Sequence, residues 1–220
     1  MVTEKEKEAK RGQAIYTKSF LAIYDLSVLG FFCRFIWKCP SHHILELYNQ
    51  YVSANHLDIG VGTGYFMDHC KFPAANPRIA LMDLNPNSLE ISKNRLERYN
   101  PEVYNMSVLE LDKTDIRNFD STALTNLLHC LPGTMKTKGT VFEKVRSLLN
   151  PGGVVFGSTI LWTGVDNSFL ARYFINVNNA KGIMTNKQDD LDSLKQNLEQ
   201  HFSENSVKTI GSMALFWARK

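Results

Sequence analysis

Three glycines at alternate positions, Gly60, Gly62 and Gly64, follow the run Leu57-Asp58-Ile59, in which an acid sits between two apolar residues. A chain with this pattern turns sharply at the end of a buried strand and exposes backbone where side chains would block a ligand. The spacing is Gly-x-Gly-x-Gly. The dinucleotide fingerprint Gly-x-Gly-x-x-Gly needs a glycine where Tyr65 stands. An acid just ahead of the turn also disfavours a pyrophosphate and suits a ligand with cationic groups. The stretch therefore predicts a strand, a ligand-contacting loop and a following helix, from Gly64 to about Phe72.

The rest of the chain continues the alternation. Arg78–Asp83 is a short apolar run ending in an acid and reads as a second strand. Asn85 as N-cap and Pro86 in the first turn open a helix to about Tyr99. Val103–Leu109 reads as strand three, and Phe119–Leu124 as strand four, extendable to Leu128. Val141–Leu149 reads as a helix stopped by Asn150-Pro151-Gly152-Gly153, and Val154–Ile160 as strand five. Asp190–Phe202 places Leu191, Leu194, Leu198 and Phe202 on one helical face. Val207–Ile210 and Met213–Ala218 form a closing antiparallel pair. Alternating strands and helices imply an α/β fold, with a doubly wound, mainly parallel seven-stranded sheet.

Residues 13–37 are rich in aromatics, with Phe20, Ile23, Tyr24, Leu26, Phe31, Phe35 and Ile36 at mostly helical spacings. Gly30 is expected to divide them into two helices. Lys18, Asp25 and Arg34 interrupt the segment, so stable membrane insertion is not expected. Three readings stay open: helices packed on the core, a lid over a site, or a surface that touches lipid. Residues 1–50 are accordingly set apart as a helical lid segment and 51–220 as the ligand-binding domain. Ahead of the lid, Glu4 to Arg11 mixes both charge signs and reads as a solvated helical lead.

A net charge of +3, without a basic stripe, argues against a nucleic-acid partner. Cys33, Cys39, Cys70 and Cys130 form no Cys-x-x-Cys pair, and no leader pattern is evident, so free thiols in the cytoplasm are expected. The six histidines lack ligand spacing, and no metal is expected.

In a doubly wound sheet the ligand lies beyond the carboxyl ends of the strands. Asp58 and the glycines mark the first such end. Asp83 marks the second, where a carboxylate accepts from two vicinal hydroxyls at once. At the third, Ser107 can hydrogen-bond a ligand and Val108 can pack on a ring, with Asp112 or Asp115 as alternative contacts. At the fourth, Asn126-Leu127-Leu128-His129-Cys130-Leu131-Pro132-Gly133 leaves the sheet. His129 is either a general base, since imidazole titrates near neutrality, or a wall of the site.

Together, Leu57–Tyr65, Leu81–Pro86, Phe119–Ser121 with Leu127–Gly133, and Leu148–Gly153 resemble the class I S-adenosylmethionine (SAM) methyltransferases, in their small-molecule branch, across roughly residues 40–220. The resemblance implies a Rossmann-like methyltransferase fold and SAM as cofactor. It implies that Asp58, Gly60, Gly62 and Gly64 line the methionine and ribose side, and that Asp83, beside Leu84, holds the ribose hydroxyls. Leu127, Leu128 and His129 fall near the cofactor. Many relatives carry aspartate where Ser107 aligns. The implied acceptor is a small molecule, its O, N or C atom left open. Tyr16, Phe20, Tyr24, Trp162 and Tyr173, with Phe169 and Phe174, make its surroundings apolar and aromatic. Candidate bases are His129, His42, His43 and Asp25. A catalytically silent SAM-fold module acting through the N-terminal helices is the alternative.

Overall fold

The computed structural model describes residues 12–114, 116 and 118–220. The charged lead at Glu4–Arg11, Asp115 and the side chain of Asp112 lie outside the described residues. Seven strands form one sheet: β1 (Asn55–Ile59), β2 (Arg78–Asp83), β3 (Glu102–Asn105), β4 (Phe119–Thr125), β5 (Leu149–Ile160), β6 (Glu204–Ile210) and β7 (Met213–Arg219). Their order is β3-β2-β1-β4-β5-β7-β6. The first five run parallel, and β7 runs antiparallel to both β5 and β6. The order reverses direction between β1 and β4, the place where a doubly wound sheet opens a crevice.

Alternation along β2 shows how the two faces are filled. Ile79 and Leu81 point to one side, with Tyr48, Phe66 and Phe156; Ala80 and Met82 point to the other, with Phe119, Phe142 and Phe216. Both faces are apolar because helices cover both. The first face also takes Leu29, Cys33, Ile36 and Ile44, so hydrophobic packing is continuous across residue 50.

The helices begin where local chemistry satisfies their free N–H groups. Beyond the glycine loop, α3 is a single short stretch, Tyr65–His69. In α4 (Pro86–Arg95) the Asn85 side chain accepts from Asn87 N–H. A capping box joins Thr134 and Thr137 at the start of α5 (Met135–Leu148). Ser168 caps α6 (Phe169–Ala180) and Asp190 caps α7 (Leu191–His201). The helix α2 (His42–Tyr51) precedes β1.

Several boundaries differ from expectation. Gly30 does not split the N-terminal segment: α1 (Lys18–Tyr24) runs directly into a π-helix over Asp25–Ile36, whose wider turn is closed by Trp37 N–H on Phe32 C=O at 2.9 Å. The helix α5 starts at Met135 rather than Val141, because the capping box and buried Lys138 organise a stretch with little apolar periodicity. The strand β5 starts at Leu149: the pairing steps from Phe119–Leu149 to Ser121–Val154, so Asn150–Gly153 is accommodated as an irregularity in the strand. Residues 162–184 hold α6.

A buried ion pair fixes the loop before α7. Lys138 Nζ lies 2.6 Å from Asp189 Oδ2 and donates to Thr185 C=O at 3.1 Å. Thr185 in turn donates its N–H to His129 C=O and its hydroxyl to Leu131 C=O, which ties this loop to the end of β4. Burial pushes both partners toward neutrality, raising Asp189 to about 6 and lowering Lys138. Lys138→Met should leave Asp189 buried and unpaired and destabilise the fold by about 3–5 kcal/mol, whereas Lys138→Met with Asp189→Leu should recover much of the loss. Urea unfolding of the three proteins checks this.

Candidate active site

Two adjoining cavities lie above the carboxyl ends of β1, β2 and β4, with empty volumes of about 780 and 360 Å³, their open mouths included. Five residues line both: Tyr24, Gly60, Gly62, Thr125 and Asn126. The larger cavity also takes Gly12, Tyr16, Asp83, Leu84, Ser107, Val108 and Leu127. The smaller takes Asp58, Tyr48, Thr63, Gly64 and Tyr65.

The glycine loop shapes the floor. Gly62 has φ +54°, and a Cβ there would meet no protein atom within 4 Å, so it would project into the space between the cavities. Gly64 is left-handed too, and a Cβ would stand 3.0 Å from Ser92 Cβ, so the loop lies directly on α4.

Asp58 and Asp83 occupy neighbouring strand ends but differ in setting. Asp58 is buried, and Tyr48 donates its hydroxyl to Asp58 Oδ2 at 2.6 Å. Asp83 Oδ1 accepts from Asn85 N–H at 2.8 Å. Burial raises its pKa to about 6, opposed by the nearby N–H groups of Asn85, Gly62 and Val61.

The N-terminal segment closes the larger cavity from above. Asn85 Nδ2 donates to Gln13 C=O at 2.8 Å and Tyr16 C=O at 3.1 Å, and Asn87 Nδ2 donates to Tyr16 C=O. Tyr16, Phe20 and Tyr24 pack as a triangle with centroids 5.8–6.0 Å apart. Burial raises the pKa of both tyrosines, so they stay neutral. At the next residue, Asp25, Oδ1 accepts from Thr63 at 2.5 Å and Oδ2 from Arg95 at 2.7 Å, which ties the N-terminal segment to the glycine loop and to α4.

The structure thus gathers Asp58, Gly60, Gly62, Gly64, Asp83, Leu84, Ser107, Val108, Leu127, Tyr16 and Tyr24 around the cavities. Other expected site residues are placed elsewhere. Leu128 is wholly buried in the core. His129 lines neither cavity: its ring turns toward β5, where Nδ1 accepts from Ile160 N–H at 3.2 Å, and burial lowers its pKa to about 3. A ring held this way is neutral and already bonded, which removes it as a base. Phe20 lines neither cavity and packs edge-on against Tyr16 and Tyr24. Trp162 packs under Arg172, and Tyr173 is exposed beside Phe174. His42 and His43 lie on α2 beside Glu46, outside both cavities and close enough together to share an ion. Asp25 is consumed by the lid contacts.

Sequence reasoning missed Tyr48, Thr125 and Arg95, and placed Asn126 at the fourth strand end without a role. Asn126 carried a signal, since asparagine ending a strand readily adopts the left-handed turn seen here at φ +56°. Its Oδ1 accepts from Ser158 Oγ at 2.9 Å.

Comparison with known proteins agrees with this geometry. A family described as "Methyltransferase domain" matches residues 57–155. Demethylluteothin O-methyltransferase of Streptomyces thioluteus is 41% identical over 207 residues, covering 94% of this chain and 90% of the relative. The physcion biosynthesis cluster O-methyltransferase of Aspergillus chevalieri is 38% identical, covering 96% of each chain. Among solved structures, the DhpI–SAH complex superposes with a TM-score of 0.66 at 16% identity, covering 96% of each chain.

The cavity fits SAM on its own terms. Its wall is apolar at Met82, Leu84 and Val108, a half-buried carboxylate stands at Asp83, and Gly62, where a Cβ would meet no protein atom, borders both cavities. This chain belongs to the class I SAM-dependent methyltransferases, in the branch that acts on small molecules.

Proposed function

We propose that this enzyme methylates an acidic hydroxyl, phenolic or enolic, on an apolar aromatic small molecule, with the reacting atoms meeting beneath Tyr24. The observation that carries this reading is the position of Tyr24, a lid residue that lines both cavities. Bound SAM supplies a methyl group already made electrophilic by the sulfonium. Asp83 accepts from the ribose hydroxyls, beside Leu84, and Ser107 and Val108 face the base. Gly60, Gly62 and Gly64 let the ligand approach the backbone, and Leu127 walls the larger cavity. Asp58, oriented by Tyr48, receives the amino group in the smaller cavity. The lid, from residue 12 to 50, excludes water from the junction and holds the acceptor in line, which is where most of the rate enhancement arises.

The acidity of the acceptor follows from what lines the site. No histidine or lysine lines either cavity among the described residues, and Tyr16 and Tyr24 stay protonated. A hydroxyl that ionises readily needs no strong base. Oxygen is favoured because the relatives at 41% and 38% identity are named O-methyltransferases. Incubation with SAM and a panel of phenols, enols, aliphatic alcohols and amines tests the reading. O-methyl products from the phenols or enols alone are expected; transfer chiefly to amines or alcohols overturns it.

Two variants probe the roles. Asp83→Ala should weaken SAM binding by about 10- to 100-fold, the loss expected for charged hydrogen bonds. Because hydroxyls donate to the ionised form, wild-type affinity should fall as pH drops below about 6, and Asp83→Asn should abolish that dependence. The same raised pKa makes ionisation unfavourable for the ligand-free fold: the Asp83 contribution to stability is present at low pH and lost as pH rises through about 6. Calorimetric titration and thermal unfolding across pH measure both. Tyr24→Phe should keep turnover near wild type, and Tyr24→Ala should lower kcat by about 10- to 100-fold through loss of positioning. Steady-state kinetics decides.

A further inference from the structure

We propose that the outer faces of the N-terminal helix and of α6 form one surface that seats the protein on an anionic lipid bilayer. Along the N-terminal helix, Ile23, Leu26, Phe31 and Phe35 face outward, at spacings suited to an α-helix that widens into a π-helix, and Leu26 is 81% exposed. On α6, Phe169 is 84% exposed and Leu170 and Tyr173 are more than half exposed. The helices meet through Phe32 and Phe174, whose centroids lie 5.0 Å apart. Phe31 packs on Phe32, and Tyr173 on Phe174, so the exposed rings flank one seam. An apolar area of this kind marks an interaction site.

Charge decides the partner. Residues 12–45 and 167–188 contain six basic side chains, Lys18, Arg34, Lys38, Arg172, Lys181 and Lys187, and one acid, Asp25. Asp25 points inward to Thr63 and Arg95. Glu46, Asp166, Asp189 and Asp190 stand just outside the two segments; Asp189 is paired with Lys138, and Asp190 caps α7. On the helices themselves the exposed bases adjoin the exposed rings: Arg34 stands next to Phe35, its guanidinium 5.6 Å from the ring, and Arg172 next to Tyr173. Lys18 is paired with Glu90, but a two-fold dimer through this face would bring Arg34 and Arg172 of both copies into an interface to which the two helices bring no outward-facing acid. An anionic headgroup layer supplies the missing charge while its acyl region takes the rings.

The helix lies on the bilayer and does not cross it. Lys18–Ile36 is long and apolar enough to span, at 19 residues and mean hydropathy 1.6. Its inner side, however, is committed: Leu29, Cys33 and Ile36 are in the core, Tyr24 lines the cavities, and Asp25 is ion-paired.

Flotation of the full chain with phosphatidylglycerol–phosphatidylcholine vesicles tests the proposal, alongside pure phosphatidylcholine vesicles. Binding is expected to the anionic vesicles and to weaken with added salt. Leu26→Ser/Phe31→Ser/Phe35→Ser and, separately, Arg34→Glu/Arg172→Glu should each lower vesicle partitioning by about tenfold or more, with SAM affinity unchanged as the check on folding. If the apolar variant loses SAM binding as well, the charge-reversal pair decides alone. Three results would overturn the proposal: no flotation, partitioning unaffected by the folded variants, or a wild-type dimer in sedimentation that the serine variant dissociates.

Discussion

A half-buried carboxylate organises the ligand-facing edge of the sheet. Asp83 ends β2 and accepts from Asn85 N–H, which holds Asn85 at the head of α4. The Asn85 side chain then works in two directions. Its oxygen caps the helix, and its amide donates to the carbonyls of Gln13 and Tyr16. One acid thus sets a strand end, a helix start and the position of the segment that covers the larger cavity. An unpaired carboxylate at this depth would be costly. The surrounding N–H groups offset part of that cost, and the pKa that remains raised measures what they leave uncompensated.

The N-terminal segment has a second fastening, of opposite design. Asp25 projects from the N-terminal helix to Thr63 in the glycine loop and to Arg95 on α4. Asp83 and Asn85 grip the lid through backbone carbonyls; Asp25 grips the body through an ion pair. Both fastenings end on α4, which also touches the glycine loop where Gly64 meets Ser92. Displacement of α4 would therefore disturb lid and floor together. Tyr24 stands between the two fastenings, which explains how a helical residue is held at the junction of two cavities.

Much of this was legible from residue order. The run from Leu57 to Gly64 announced the floor, Asp83 followed one strand later, and Asn85-Pro86 marked a helix start that the structure confirms. The closing antiparallel pair was legible from two alternating runs. What escaped depended on contacts distant in the chain. Gly30 reads as a helix breaker, but Leu29, Cys33 and Ile36 anchor the segment to the sheet and carry the helix through. Lys138 reads as a surface residue until Asp189, brought in from far along the chain, draws it inside. His129 looked suited to proton transfer because imidazole titrates near neutrality. Its orientation is set by a tight turn at Leu128–Cys130 that aims the ring at β5, a direction no local pattern encodes. Tyr48 carries no motif, and only folding brings its hydroxyl to Asp58.

The placement of β7 has a kinetic consequence. It pairs along its whole length with β5 on one side and β6 on the other, so β6 joins the sheet only through it. A nascent chain can assemble the parallel strands before β7 emerges from the ribosome, but the edge of β5 stays open until then. Closure must wait for β7 to enter an interior slot, and its pairing with β5 joins residues far apart in sequence, which slows the step. During that interval the exposed β5 edge is the part of the molecule most open to pairing with a stranger, which makes the speed of β7 docking a determinant of yield as well as of shape.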